Sequence, residues 1–181
     1  MLAKSRGPAF RLGLPLLVLM ALLLVMVPSA SATASMTCVT TGGEETPHIM
    51  DLVRRAGPNT FFTETFTAHL VTTCGEGVNR LENRFTVFSN GDFHARGFGT
   101  YTGSIRDASG TLRSGTFDFN VVVNGSPAKT GIIAVKFTIV GGTGGLANIH
   151  GQISQVIDLN PANPPCCPGV LEYHFDPQPK P

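Results

Sequence analysis

Alternating apolar and polar residues, closely spaced turn signals and a glycine-rich strand predict an all-β protein. The expected architecture is an antiparallel meander closed into a calycin-like β-barrel of about eight strands, with one short N-terminal helix. The alternation is plainest where Phe117, Phe119, Val121 and Val123 share one face and Thr116, Asp118 and Asn120 the other. It recurs where Ala147, Ile149, Gly151 and Ile153 oppose Asn148, His150, Gln152 and Ser154. Turn signals stand at Asn90-Gly91-Asp92, Ser109-Gly110, Asn124-Gly125 and the glycine run 141–145. Strands joined so tightly are antiparallel neighbours. A single-layer meander must hide one face, and closing on itself does this while removing its edges. A two-sheet sandwich would show similar alternation and is the main structural rival.

The chain opens with Lys4, Arg6 and Arg11, then an apolar run from Leu12 to Val27, then Pro28-Ser29-Ala30-Ser31-Ala32-Thr33-Ala34. A positive start, an apolar centre and small residues at the end are the order of a secretory signal peptide. Residues 1–34 are assigned to it, with cleavage after Ala32 or Ala34; a retained membrane anchor is the alternative. The predicted location is extracellular, or periplasmic where the cell envelope has a second membrane. The leader holds three of the thirteen basic residues and none of the twelve acidic ones. Ten basic against twelve acidic residues remain, a formal charge of −2. No basic patch advertises a nucleic-acid partner, and no second apolar stretch is long enough to span a bilayer.

Residues 35–60 form an N-terminal segment. Thr46 suits an N-cap, Pro47 a first helical position and Gly57-Pro58 a stop. Ile49, Leu52, Val53 and Ala56 follow the spacing i, i+3, i+4, i+7. This predicts a helix over 47–56. The barrel domain is expected over 61–177, with strands at 61–73, 81–89, 93–105, 111–123, 130–140, 146–159 and 170–175, all rich in Thr, Val, Ile and Phe. Glycines at 97, 99 and 103 would let the third of these bend. Residues 178–181 read as a disordered tail.

All four cysteines, Cys38, Cys74, Cys166 and Cys167, lie in the exported part, which favours disulfides. Strain disfavours a bond between the adjacent pair, so Cys166 and Cys167 are each expected to reach back to Cys38 or Cys74. A zinc site from these cysteines and His174 matches no usual ligand spacing. The histidines at 48, 69, 94, 150 and 174 are scattered, and neither a metal nor a cofactor is predicted. There is no Gly-x-Ser-x-Gly elbow, and the run 141–145 joins strands, where a phosphate cradle would open a helix.

The stretches Gly97-Phe98-Gly99-Thr100-Tyr101-Thr102-Gly103 and Gly141-Gly142-Thr143-Gly144-Gly145-Leu146-Ala147-Asn148-Ile149-His150-Gly151 carry a resemblance. They are similar to the glycine-rich strand and the following hairpin of the allene oxide cyclase and dirigent-like β-barrel superfamily, including small secreted bacterial members of unknown function. Glu172-Tyr173-His174-Phe175-Asp176-Pro177 resembles the end of some of these. The resemblance spans roughly residues 61 to 177 and implies an eight-stranded barrel with an apolar cavity, often assembled as a dimer or trimer. Its motifs are structural, and no catalytic residue is carried over from it.

Glu64 is the charge that stands out. It keeps register with Phe62, Phe66, Ala68 and Leu70, so a regular strand points it into the barrel, where a carboxylate can act as acid, base or ligand anchor. Arg84 and Arg96 are candidate counter-charges. Tyr101 either lines the cavity or packs with a satisfied hydroxyl. The expected core is Phe62, Phe66, Leu70, Phe117, Phe119, Val121, Ile133, Val135, Phe137 and Ile153. Candidate ligand contacts are Glu64, Phe62, Phe66, Arg84, Arg96, Tyr101, Phe117 and Phe119, with Glu64 and Tyr101 as catalytic candidates. The leading expectation is a secreted barrel that binds a small hydrophobic molecule in its lumen. The alternatives are a cofactor-free isomerase or cyclase, and a structural or surface-interaction protein with a filled barrel.

Overall fold

Nine antiparallel strands form one sheet in this computed structural model, which describes residues 34–127, 129–158 and 169–177. In chain order they are β1 (Met36–Glu45), β2 (Ile49–Ala56), β3 (Asn59–Thr72), β4 (Gly75–Val87), β5 (Phe93–Arg106), β6 (Leu112–Gly125), β7 (Ile132–Gly144), β8 (Ile149–Asp158) and β9 (Val170–Phe175). From β3 to β9 each strand pairs with the next, which is the predicted meander. β1 closes it. Its first residues pair with β9 (Cys38 opposite Leu171) and its last with β3 (Glu45 opposite Ala68), giving a ring of eight strands.

The helix expected over 47–56 is strand β2. Past Ala68 the edge of β3 is left open by β1, and its unpaired amides and carbonyls need partners. The chain turns back along that edge, with Ile49 opposite Thr65 and Ala56 opposite Asn59. The Gly57-Pro58 pair that suggested a helix stop is the turn of this hairpin. Gly57 has a φ of +58°, and proline's fixed negative φ makes the pair a II′ turn. A short amphipathic stretch has little helical stability alone, so backbone pairing to β3 decides. β2 lies outside the ring, and all eight of its residues are exposed.

One face of each ring strand turns inward. Phe117, Phe119 and Val121 of β6 are 1–2% exposed, and Leu146, Ile149 and Tyr173 are as deeply buried. Of the expected core, Phe117, Phe119, Val121 and Val135 are buried. Phe66, Ile133, Phe137 and Ile153 are half-buried against it, and Phe62 and Leu70 are half-buried as well. Ala147 does not continue the inward row, because it lies in the turn before β8; Leu146 is buried there instead. The glycines of β5 have ordinary negative φ. Their role is room: a Cβ at Gly99 would run into the ring of Phe119, and one at Gly103 into the Tyr101 hydroxyl.

Cys38 and Cys74 are bonded to each other, with Cα atoms 5.6 Å apart, and join β1 to the β3–β4 turn. This corrects the expectation that Cys166 and Cys167 each reach back to one of them, since neither Cys38 nor Cys74 is left to pair. Alongside, the Thr73 amide donates to the Val39 carbonyl and the Val39 amide to the Thr73 hydroxyl, which brings the two sulfurs within reach. Cys166 and Cys167, residues 1–33 of the expected leader and the expected tail 178–181 lie outside the described residues. No helix among the described residues is long and apolar enough to cross a membrane.

Candidate functional site

The β3–β4 hairpin turns on two residues, Thr73 and Cys74, with Thr72 opposite Gly75. That turn fixes the register of everything behind it. Glu64 falls opposite Asn83, and Asn83 opposite Gly97 of β5. Directly opposed residues project from the same face, so the row continues inside the ring through Val121, Phe137, Ile153 and Leu171. Gly97 matters because a Cβ there would strike the Asn83 side chain and the Glu82 carbonyl. With only hydrogen at that position, the Asn83 carboxamide lies inward across β5.

Glu64 is therefore inside the ring, as the alternation predicted, and 6% exposed. Its partners are different from those expected. Asn83, itself 3% exposed, donates from Nδ2 to Glu64 Oε2 over 2.9 Å. His48 Nδ1 lies 2.7 Å from Glu64 Oε1, and His48 Nε2 lies 3.3 Å from Glu45 Oε2. The imidazole stacks on Phe66, with centroids 4.1 Å apart and planes within 4°. Thr46 pins the link before it, exchanging hydrogen bonds with the backbone of Thr67. Burial alone would lower the pKa of His48. The hydrogen bonds and charges of Glu64 and Glu45 together outweigh it and raise the pKa above 6.5.

Arg84 and Arg96 stand opposite each other on β4 and β5, and both are exposed on the outer wall. Side chains alternate, so an inward Asn83 sends Arg84 outward. Arg96 Nε donates to His94 Nε2 over 3.2 Å. Every described Lys and Arg is exposed.

Tyr101, Phe117 and Phe119 lie in the filled half of the ring, below the Glu64 row. Tyr101 is 5% exposed and stacks on Phe117 at 4.7 Å. Its hydroxyl lies 2.8 Å from the Glu76 carbonyl and 3.2 Å from that of Ser104. Burial pushes its pKa up to about 12, so it neither gives nor takes a proton near neutrality. Phe117 and Phe119 are packing residues, as their near-complete burial requires.

The other half, at and beyond the Glu64 row, is lined differently. Phe62, Phe85, Phe93, Phe137, Ile133 and Ile157 are only half-buried. The registers place Phe62 opposite Phe85, and Phe93 on the inward face beside it at 5.8 Å between rings. Glu64, Asn83 and Phe62 thus stand at the border of this less buried apolar half, with His48 and Phe66 stacked against Glu64.

His48 and Asn83 are the members that the sequence reading missed. His48 was assigned to a helix. Asn83 would have followed from a tight turn at Thr73-Cys74, because a two-residue loop dictates the pairing. On the outer wall His150 stands opposite His174, with Nε2 atoms 3.1 and 3.5 Å from the two carboxylate oxygens of Asp176. No group of three or more His, Cys, Asp or Glu among the described residues is arranged to hold a metal ion. At the filled end, Ala34, Met36, Asp107, Ala108, Ser109 and Phe175 line a pocket of about 200 Å³. Asp107 there is committed to its own turn through Ser109, Thr111 and Arg113.

No family model matches this chain, and no curated protein matches it. Among solved structures it is similar to a protein of unknown function from the DUF3224 family of Shewanella oneidensis MR-1. That match has a TM-score of 0.58 at 12% identity and covers 80% of this chain and 99% of the other. A likeness at that identity speaks for the fold alone.

Proposed function

We propose that this is an exported β-barrel protein that binds a small hydrophobic molecule in the open half of its interior. The observation that carries the reading is the half-buried apolar mouth around Glu64, a carboxylate 6% exposed and held on both oxygens. A concave apolar surface with a few converging polar groups is the usual form of a small-molecule site. Export rests on the leader and is supported by the Cys38–Cys74 bond, which suits an oxidising compartment. The filled half, packed by Phe117, Phe119, Tyr101 and Tyr173, serves as a rigid floor.

One contact favours a second reading, the cofactor-free isomerase or cyclase. Glu64 and His48, 2.7 Å apart, are a carboxylate and an imidazole able to share a proton beside a bound apolar substrate. Positioning would supply most of such an enzyme's rate.

Native mass spectrometry of the protein purified from its own host, with organic extraction of its cargo, tests the proposal. Binding predicts a stoichiometric apolar compound; conversion of that compound on incubation would move the assignment to the enzyme. A protein that arrives empty and ignores a lipophilic dye would refute both and return the function to the outer wall.

A further inference from the structure

The polar atoms in the mouth are one-sided in what they offer. An ionised carboxylate only accepts hydrogen bonds and has about four lone-pair sites. Glu64 has one hydrogen-bond partner on each oxygen, Asn83 Nδ2 and His48 Nδ1. Asn83 Oδ1 is a second acceptor, fully buried and without a hydrogen-bond partner. A buried amide oxygen left so is uncommon and costly. Asn83 Oδ1 lies over Gly97, in the space that a Cβ there would take. On the donor side, every described Lys and Arg is exposed. The imidazole beside them, His48, has both ring nitrogens facing carboxylates, Glu64 and Glu45.

We propose that the molecule bound in this mouth carries a hydrogen-bond-donating head, a protonated amine foremost, that seats on Glu64 and the Asn83 carbonyl oxygen with its apolar body against Phe62 and Phe85. The proposal rests on the binding function above and adds the chemical class of the ligand. An acid would bring a second negative charge beside Glu64 with no buried Lys or Arg among the described residues to meet it, and like charges repel strongly where water is scarce. An ether or ester head would bring only acceptors to acceptors. A hydroxyl gives one hydrogen bond; an ammonium gives three and a charge.

The test is displacement of a lipophilic fluorescent dye from the purified protein at pH 7.5 by four probes with one ten-carbon tail: n-decylamine, decan-1-ol, decanoic acid and decyl methyl ether, each below its micelle concentration. The amine is expected to displace dye at least about tenfold more tightly than the acid, and the alcohol more tightly than the ether. In Glu64→Gln, checked for fold by circular dichroism, the advantage of the amine over the alcohol should largely vanish. The wild-type comparisons stand without the variant. An acid that equals or betters the amine, or an amine advantage that survives Glu64→Gln intact, would overturn the donor-head proposal and leave apolar binding standing. A protein that takes up neither dye nor any probe would overturn the binding function and this proposal with it.

Discussion

Asn83 Nδ2 donates to Glu64 Oε2 across 2.9 Å between β3 and β4, with both side chains more than nine-tenths buried. A pair hidden this well is strongly asymmetric in its energetics. Removing one partner strands the other, whereas replacing both by apolar groups of similar size can be nearly neutral. Glu64→Leu or Asn83→Leu alone is expected to cost about 1–3 kcal/mol in denaturant unfolding. The double variant should cost clearly less than the sum. Strict additivity would mean that the two side chains do not depend on each other.

Gly99 and Gly141 make a matched contrast. A Cβ at Gly99 meets the Phe119 ring and the Arg80 carbonyl, while one at Gly141 meets nothing within 4 Å. Gly99→Ala should therefore destabilise by about 1–3 kcal/mol, the usual cost of overpacking. Gly141→Ala should stay within about 0.5 kcal/mol of wild type. Equal effects on the thermal midpoint would contradict the placement of Phe119 over β5.

The strands from β3 to β9 were readable because alternation and turn chemistry agree over long stretches, as in Phe117 to Val123 flanked by Ser109-Gly110 and Asn124-Gly125. The inward Glu64 was readable for the same reason. β2 was not. Ile49, Leu52, Val53 and Ala56 fit a helical stripe, and only the open edge of β3, a tertiary fact, turns them into a strand. His48 was lost with it. The outward Arg84 and Arg96 became assignable only once the Thr73-Cys74 turn fixed the β4 register. The Cys38–Cys74 pairing was equally out of reach, because no strand was expected before residue 61 and the pairing of β1 with the β3–β4 end is long-range.

His48 gives a pH signature. Its pKa is raised in the folded protein, so it binds a proton more tightly there than in the unfolded chain. The stabilisation it brings is fully present below its unfolded pKa and is lost as pH rises through its folded one. The stability gap between wild type and His48→Ala should therefore shrink from pH 5.5 toward alkaline pH. A gap that widens with pH would place His48 away from Glu64 and Glu45.

Asp107 behaves in the opposite sense. Hydrogen bonds from Ser109 and Arg113, with the turn amides of Ser109 and Thr111, bring its pKa from 3.8 down to about 2. A depressed carboxylate stabilises above its unfolded pKa, and the contribution disappears as pH falls through the folded value. Wild type and Asp107→Asn should converge in stability between about pH 4 and pH 2. Acid unfolding curves that keep a constant separation over that window would contradict the cap.

The bond between Cys38 and Cys74, 36 residues apart in sequence, closes a loop that contains β2, β3 and the whole His48 link. Loop-closure entropy for that span predicts a loss of roughly 2–4 kcal/mol in Cys38→Ala/Cys74→Ala, read from urea unfolding of wild type and variant side by side. An unchanged midpoint would mean that the bond contributes nothing to the fold.

The central claim is that the half of the ring around Glu64 receives an apolar molecule, and amide NMR during titration with n-decylamine tests it most directly. Shifts concentrated at Phe62, Glu64, Asn83, Phe85 and Phe137 are the predicted result. Shifts confined to exposed apolar residues of the outer wall such as Phe98, Val140 and Val156, or to β2, would contradict it.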